Sequence, residues 1–593
     1  MKLLPSTSAT GIARMIACHA HAAWAWHPRI LFAVLIVIAA RPAFAEGPML
    51  DRFFPAGVQR GGQVRVQAIG RFGGWPKLKA WIDRPGLSIV ALAEPRKLLV
   101  RAAADAQPGV YWVRLYDAAG ASELRPFIVG TLPELSDHEP NDTWRAAQPL
   151  GLPACTINGR LASPGDCDVF AIRVPAGRTL VAWVEAERPL GSPMDGVLQI
   201  LNSSGTVVAQ NHDSIGLDPC AAVENSVGAA SRAAPDDGLD ASSRKRPARL
   251  AGPTDDAVYF VRLFAFPAKP TADIRLAGSE DYVYRLTVTS QAAVRYAFPL
   301  SIGRGGRQAV QLRGWNLSPE QAALTLDPPS GRDMLTLFRP DAAGQTPLGI
   351  EDVATQLERE PNPPQHANAI HLPGCTSGVI ARPGDEDSYS FFAQDGQTVC
   401  FRLESAELGF PLDGALVLDD ADGNRVAAAE DNEGRRDPEL MYTVPLGGQF
   451  RLTVRDLYGH GGWRYAYRLR ASLAEPDFVL KVGAGLWSTT TGGQLGLPVI
   501  IDRRNGCQAP IRLTLAGLPA TARCSAIESR AGEFSAGNAT FKLAAGAQPF
   551  SGPIQILGTA LGERSYTRRA QAEIEGFSGG TKTDQLWLTI TAK

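Results

Sequence analysis

The tripeptide Glu-Pro-Asn occurs twice, starting at Glu139 and at Glu360, and acidic residues surround both copies. In an extended segment, side chains two positions apart lie on the same face, so the acids around each tripeptide are expected to converge. Each copy is followed by a turn glycine and by two aspartates separated by one residue. The predicted ligand sets are Asp137, Glu139, Asn141, Asp142, Asp166 and Asp168 in the first copy, and Glu358, Glu360, Asn362, Asp385 and Asp387 in the second.

Carboxylate and amide oxygens in such numbers are typical of calcium sites, because Ca²⁺ prefers about six to eight oxygen ligands. The proline after each glutamate restricts that glutamate to extended backbone, which favours the shared face. Pro363 stands where the first copy has Asp142, so the second site loses a ligand and is predicted to bind calcium more weakly. The alternative is that these Asp, Asn, Gly and Pro residues only form turns at sheet edges.

The surrounding sequence is duplicated as well. "LPACTINGRLASPGDCDVF" follows the first tripeptide and "LPGCTSGVIARPGDEDSY" follows the second. A second pair of similar segments precedes them, "RFFPAGVQRGGQVRVQAIG" from Arg52 and "YAFPLSIGRGGRQAVQLRG" from Tyr296. The order predicts a tandem duplication of a two-domain block, followed by an unpaired C-terminal segment.

The elements that position these residues have the periodicity of strands. Tyr282, Tyr284, Leu286 and Val288 alternate with other residues, and clusters of Gly, Pro, Asp and Asn separate such runs. A chain of 593 residues is too long for a single core, so several domains are expected. The predicted fold class is all-β, with tandem β-sandwiches.

We predict six segments. They are a signal peptide at 1–45, an immunoglobulin-like sandwich at 46–132, a first repeat module at 133–291 with an insertion at 220–256, a short immunoglobulin-like domain at 292–350, a second repeat module at 351–473, and a C-terminal immunoglobulin-like sandwich at 474–593.

The repeat modules can be compared with a known family. "EPND", "PGDCDVFAIRVPAG", "SPMDGVLQIL" and "YVYRLTV" resemble the bacterial pre-peptidase C-terminal (PPC) domain, over residues 138–290 and 357–472. That family follows the catalytic part of many secreted proteases and is similar to the collagen-binding modules of clostridial collagenases. The resemblance implies jelly-roll-like sandwiches that are often calcium-bound and non-catalytic, here alternating with immunoglobulin-like domains. Cys167, Pro363 and the insertion depart from the family pattern.

The N-terminal segment predicts export. "ILFAVLIVIAA" precedes "RPAFA", in which Ala43 and Ala45 form a signal-peptidase site. The apolar run is shorter than the roughly 20 residues that a membrane span needs, so no transmembrane span is expected. The predicted location is secreted, periplasmic or at the cell surface. The slightly negative charge of the mature chain argues against a nucleic-acid partner.

Export would place seven cysteines in an oxidising compartment, where disulfides persist. The predicted pairs are Cys375 with Cys400, Cys507 with Cys524, and Cys155 with Cys167 or Cys220.

Other candidates for chemistry are weaker. The sequence contains no H-E-x-x-H, G-x-S-x-G or Walker motif. His212 adjoins Asp213, but no nucleophile is identifiable beside them. The remaining candidates are a basic cluster for an anionic polymer or a solvated loop (Arg244, Lys245, Arg246 and Arg249) and three tryptophans for a carbohydrate platform or for the cores (Trp75, Trp81 and Trp463).

The sequence therefore predicts a secreted, non-enzymatic binding or display protein whose ligand is an extracellular polymer or protein. The alternative is an accessory or inactive relative of a secreted protease, or a hydrolase of unknown type.

Overall fold

Strands make up about 53% of the residues that the structure describes, and helices about 3%. The computed structural model describes residues 47–226, 256–267, 275–431, 436–562, 564–577 and 580–593. The predicted signal peptide, the basic cluster at 244–249 and most of the predicted insertion lie outside these residues. The all-β, sandwich-like fold class is confirmed. In the described part of the chain, no helix has the length and apolar character needed to cross a membrane.

The first sheet pair contains eight strands, arranged as β1-β3-β6-β5 and β2-β8-β7-β4. Phe53, Tyr111 and Phe127 are buried between the two sheets. The strands are β1 (Met49–Phe54), β2 (Gly57–Gln59), β3 (Gln63–Arg71), β4 (Lys79–Ile82), β5 (Leu87–Ala91), β6 (Lys97–Ala102), β7 (Gly109–Tyr116) and β8 (Arg125–Gly130).

The first repeat module has two five-stranded sheets, β16-β13-β18-β11-β9 and β10-β12-β17-β14-β15. Phe170, Leu263 and Leu286 are fully buried between them. The elements are β9 (Glu134–Ser136), β10 (Gln148–Pro149), β11 (Ala154–Arg160), β12 (Asp168–Val174), β13 (Thr179–Glu185), α1 (Glu187–Leu190), β14 (Asp195–Leu201), β15 (Val207–Asn211), β16 (Cys220–Glu224), β17 (Ala257–Phe266) and β18 (Val283–Thr289).

The next segment is a reduced version of the first pair, with sheets β19-β21-β22 and β20-β24-β23. In both, a short strand runs parallel to a later one, β2 to β8 and β20 to β24. The elements are β19 (Ala293–Phe298), β20 (Ser301–Gly303), β21 (Gln308–Trp315), α2 (Pro319–Ala322), β22 (Ala323–Leu326), β23 (Met334–Phe338) and β24 (Gln345–Glu351).

The second repeat module has the sheets β25-β27-β34-β29-β32 and β26-β28-β33-β30-β31. Strand for strand, this is the order of the first module, so the duplication read from the sequence extends to sheet topology. The strands are β25 (Ala354–Leu357), β26 (Asn368–Ala369), β27 (Gly374–Val379), β28 (Glu386–Ala393), β29 (Thr398–Glu404), β30 (Gly414–Asp419), β31 (Arg425–Ala429), β32 (Glu439–Thr443), β33 (Gly448–Asp456) and β34 (Ala466–Leu473), with 3₁₀ turns at Pro364–His366 and Ala406–Leu408.

The C-terminal segment pairs a sheet β35-β37-β40 with a sheet β36-β45-β41-β38-β39. Phe478, Phe541 and Leu588 are fully buried in its core. The strands are β35 (Asp477–Lys481), β36 (Leu486–Thr490), β37 (Gln494–Arg504), β38 (Ile511–Ala516), β39 (Ile527–Ser529), β40 (Asn538–Ala544), β41 (Phe550–Ala560), β42 (Thr567–Arg569), β43 (Ala572–Glu573), β44 (Lys582–Thr583) and β45 (Leu586–Thr591), with a 3₁₀ turn at Phe534–Ala536.

The first and last segments of the chain pack against each other. Trp587 of β45 is buried, and its ring lies 6.0 Å from that of Trp81 and 5.0 Å from that of Tyr116. The buried Arg114 donates from Nη2 to the carbonyl oxygen of Gln585 over 2.9 Å. An aromatic cluster and a buried cation therefore join the two ends of the described chain.

The segment 220–256, within which the insertion is predicted, begins with a strand of the common fold. Cys220–Glu224 form β16, which pairs with β13 as β32 pairs with β29 in the second module. The residues without a counterpart therefore follow Glu224. The predicted domain limits remain predictions.

The predicted disulfides are wrong, because every cysteine that the structure describes is a free thiol. Strand β34 lies between β27 and β29, which places Cys375 and Cys400 two strand spacings apart, about 9.5 Å. A disulfide needs Cα atoms within roughly 7 Å. Cys155 is separated from Cys220 by β18 and β13, and Cys167 precedes a strand of the opposite sheet. Cys507 and Cys524 are likewise unpaired.

Candidate metal centre

The first acidic cluster lies where the two sheets of the first module meet. Oxygen atoms of Asp137, Glu139 and Asp168 lie within 4.8 Å of one another, and so do oxygen atoms of Glu139, Asp142 and Asp166. The two groups share Glu139. The structure therefore brings together all five carboxylates that the sequence predicts for this site.

The backbone reaches this arrangement through a bend. Strand β9 ends at Ser136, and the chain turns at Glu139 and Pro140, which are joined by a cis peptide bond. Asn141 holds the turn: its backbone N–H and its Nδ2 donate to Glu139 Oε2 (3.0 Å) and Asp137 Oδ1 (2.7 Å). Its carbonyl oxygen accepts from the N–H of Val169 over 3.2 Å, which ties the turn to β12. The prediction of an extended backbone is therefore wrong, because the segment bends at Glu139 and Pro140, although the acidic side chains still converge.

Asp168 is the buried centre of this cluster. Asp168 is 0% exposed, and the Tyr284 hydroxyl donates to its Oδ2. Burial, reinforced by the neighbouring carboxylate of Asp137, raises the pKa of Asp168 to about 9. Burial and the charge of Glu139 raise the pKa of Asp137 to about 6. Without a cation, Asp168 therefore retains a proton at neutral pH, which a bound cation would displace.

Two buried oxygen atoms in the cluster have no hydrogen-bond partner, Asp168 Oδ1 and Asn141 Oδ1. Buried polar atoms are nearly always satisfied, so each of these needs a partner that the protein chain does not supply. A calcium ion fits this donor set, since the groups available are carboxylate and amide oxygens without nitrogen or sulfur.

The second cluster is smaller. Oxygen atoms of Glu358, Glu360 and Asp387 lie within 4.8 Å of one another. Among the described residues, no second group of three forms around Glu360, because Pro363 replaces an acid there. Asp385 instead accepts from the N–H of Ala381 over 2.9 Å and lies 3.6 Å from the Arg382 guanidinium.

The oxygens of the second cluster have protein partners. The Tyr467 hydroxyl donates to Asp387 Oδ2 over 2.6 Å. In the amide orientation that satisfies its neighbours, Asn362 donates to Asp387 Oδ1 (2.9 Å) and Glu360 Oε2 (3.2 Å). The N–H of Val379 donates to Glu358 Oε1 over 2.6 Å. Burial raises the pKa of both Glu358 and Asp387, reinforced at Glu358 by the charge of Asp387 and at Asp387 by the charges of Glu360 and Asp385, so this pair also retains a proton.

Two tyrosines that were not predicted as site residues belong to these sites. Tyr284 and Tyr467 occupy matching positions and donate to matching aspartates. Gly159 and Gly378 make room for them, because a Cβ at either glycine would collide with the tyrosine ring. The signal was present in the aligned strings, where a glycine and a tyrosine recur in both copies, but the tyrosines were interpreted only as strand residues.

A second repeated aspartate was also missed. Asp218 accepts hydrogen bonds from the backbone N–H groups of Ala186, Glu187 and Arg188. In the second module Asp437 accepts from those of Ser405, Ala406 and Glu407. Both aspartates precede a proline, and that repeated dipeptide was the available signal.

The other sequence candidates occupy ordinary positions. His212 Nε2 lies 3.4 Å from Asp213 Oδ2, with both side chains more than half exposed. Trp75 packs on the first core, and its Nε1 donates to the Leu92 carbonyl oxygen over 2.8 Å. Trp463 stacks on Tyr296, with ring centroids 5.9 Å apart. Trp81 packs against Trp587. The tryptophans Trp75, Trp81 and Trp463 are therefore all partly buried in packing contacts.

No protein-family model matches the chain, and no curated protein matches it, so the PPC resemblance remains a prediction. Among solved structures, a protein from Eubacterium rectale that is described as secreted is similar at 10% identity and a TM-score of 0.16, over 31% of this chain and 73% of that one. The M60 catalytic domain with the CBM51-1 and CBM51-2 domains of Clostridium perfringens ZmpB is similar at 9% identity and a TM-score of 0.13. That match covers 70% of this chain and 54% of the other.

Proposed function

We propose that the chain is a secreted, non-enzymatic binding or display protein whose two repeat modules are stabilised by calcium. The observation that supports this most strongly is the pair of buried oxygen atoms without partners, Asp168 Oδ1 and Asn141 Oδ1, among five clustered carboxylates. A buried group of like charges is costly unless a cation compensates it.

The position of each cluster indicates what calcium would do there. Asp137 follows β9, which belongs to one sheet of the module, whereas Asp168 begins β12 in the other sheet. A cation held by both would link the two sheets at the point where the chain enters the module. Calcium would therefore also fix the direction in which the preceding segment leaves.

The two sites are expected to differ in affinity. The first has five carboxylates and two unpartnered oxygens, whereas in the second Asp387 is hydrogen-bonded at both oxygens and Asp385 lies beside Arg382. Fewer free carboxylates attract a cation less strongly. The second site is therefore expected in the weak range of extracellular modules, about 10⁻⁴ to 10⁻³ M.

Calcium titration of the full secreted chain, followed by calorimetry after removal of bound metal, tests the proposal. The expected result is two binding events, the tighter of which is lost in Asp168→Asn and the weaker in Asp387→Asn. An absence of binding up to about 10⁻² M, tenfold above the weak extracellular range, would overturn it.

A further inference from the structure

The outer face of the β10-β12-β17-β14-β15 sheet carries a row of aromatic side chains. Strand β17 places Val261, Leu263 and Ala265 in the core, so the alternate residues Phe260, Arg262, Phe264 and Phe266 face outward. Trp144 extends the row, since its ring lies 5.6 Å from that of Phe260. The rings of Phe264 and Phe266 lie 5.9 Å apart. At about 3.4 Å per residue, Phe260 and Phe266 are separated by about 20 Å.

Arg262 lies in the middle of this row and has no acidic partner among the described residues. Its Nε donates to Gln199 Oε1 over 2.8 Å, and its guanidinium lies 5.8 Å from the ring centroid of Phe264. Gln199 in turn donates to Gln210 on β15, which is exposed. The face thus presents a cation and the exposed amide of Gln210 beside flat apolar rings.

Further cations lie toward the Trp144 end of the row. The Arg145 guanidinium stacks on Trp144 at 4.3 Å, and Arg173 is exposed on the outer face of β12. Asp195 is paired across from Phe266 and is the acid at the opposite end. Three arginines, Arg145, Arg173 and Arg262, therefore lie along the part of the row near Trp144, beside the exposed Asp142 of the metal cluster.

The second module shows that the fold does not require this row. Asp168 pairs with Leu263 and its counterpart Asp387 pairs with Val454, so Arg451, Thr453 and Arg455 match Phe260, Arg262 and Phe264. Arg451 is compensated by Asp419 at 2.7 Å, and Thr453 hydrogen-bonds Ser388 over 3.1 Å. The same scaffold is thus polar in one copy, where two of the three matched side chains have protein partners, but aromatic around Arg262 in the other.

We propose that this face of the first module binds a single chain of acidic polysaccharide, a conclusion that rests on the proposed binding function and specifies its ligand. Sugar rings stack on Phe260 and Phe264, and a sugar carboxylate pairs with Arg262. The exposed amide of Gln210 is placed to accept and donate hydrogen bonds with hydroxyl groups. A narrow row of this length suits one extended polymer chain, whereas a stable protein partner needs about 800 Å² of surface on each side.

The test uses the full secreted chain and a hyaluronan octasaccharide as the acidic probe, with a dextran octasaccharide of neutral charge and a collagen peptide for comparison. Calorimetry is expected to show saturable binding of hyaluronan and at least tenfold weaker binding of dextran. Arg262→Gln and Phe264→Ala should each weaken hyaluronan binding at least tenfold. Arg455→Gln, at the position of the second module that matches Phe264, also removes one outward arginine and should change binding less than twofold.

Phe266→Ser provides a variant with little risk to folding, because Phe266 is 46% exposed, and it should weaken binding while leaving the melting temperature unchanged. Repeating the titration with chelator and with Asp168→Asn separates this inference from the calcium proposal. Hyaluronan binding that persists there while calcium binding is lost supports the polysaccharide site by itself. Absence of saturable hyaluronan binding, equal weakening by Arg455→Gln, or binding of collagen alone would overturn it.

Discussion

The clearest test of the candidate metal centre replaces one buried carboxylate in each module. Asp168→Asn and Asp387→Asn keep the size and much of the hydrogen bonding of each side chain while they remove one charge. Because the two modules share their topology, each variant is the control for the other.

The expected magnitude follows from the geometry of the cluster. The carboxylate oxygens of the first cluster lie within 4.8 Å of one another, and two ionised carboxylates at that limit repel each other by about 3.5 kcal/mol at an effective dielectric constant of about 20. A bound divalent cation offsets this repulsion, and at a hundred times its dissociation constant it stabilises the folded state by about 2.7 kcal/mol. If Asp168→Asn weakens binding about a hundredfold, the gain at the same calcium concentration falls to about 0.4 kcal/mol.

Hydrogen exchange of the full chain measures both modules in one experiment. Peptides that cover β11 report on the first module, and peptides that cover β27 report on the second. In the unmodified protein, a gain of about 2.7 kcal/mol corresponds to exchange that is roughly a hundredfold slower in β11 when calcium is added. Asp168→Asn should abolish this slowing in β11 and leave β27 unchanged, and Asp387→Asn should do the reverse.

Two outcomes would contradict this prediction. Equal calcium protection of β11 in the unmodified protein and in Asp168→Asn would show that calcium, if bound, lies elsewhere. Loss of protection in both modules from either change would show that the modules do not bind independently.

Two further predictions concern stability. Burial raises the pKa of Asp218 to about 7, above its value of about 3.9 in the unfolded chain. The folded state therefore holds this proton more tightly than the unfolded state does. As a result, the free energy of unfolding falls as the pH rises from about 4 to 7. Urea unfolding should show that Asp218→Asn removes up to about 4 kcal/mol of this decline, and an unchanged pH dependence would contradict it. Gly159→Ala pushes a methyl group into the Tyr284 ring and should cost about 1–3 kcal/mol in unfolding free energy, with weaker calcium binding. Gly151→Ala, where no atom lies within 4 Å of the new Cβ, is its control, and equal losses from the two would sink the prediction.

The sequence predicts the fold class well because strand periodicity and duplication are local patterns. Alternation at Tyr282, Tyr284, Leu286 and Val288 indicates the strand that becomes β18, and the repeated strings indicate two modules of one topology. The carboxylates also converge as expected, since they flank strands that the duplication places in equivalent positions.

The remaining features depend on contacts between distant residues. The cysteine pairs could not be predicted, because strand order decides that β34 separates Cys375 from Cys400. The roles of Tyr284 and Tyr467 depend on a partner in the opposite sheet, which periodicity does not reveal. The bend at Glu139 likewise depends on hydrogen bonds from Asn141, which an extended interpretation of the segment does not include.

The packing of Trp587 against Trp81 and Tyr116 determines how late during synthesis the first sandwich can complete its contacts. Arg114 and Gln585 are separated by 471 positions, so this contact can form only after Gln585 has been synthesised. Until then the first sandwich presents an uncovered aromatic patch, and Arg114 lacks the carbonyl oxygen of Gln585. Exposed apolar surface in such intermediates promotes aggregation. The growing chain is therefore most prone to aggregate while β45 is missing, and a truncation of β45 would make that state permanent.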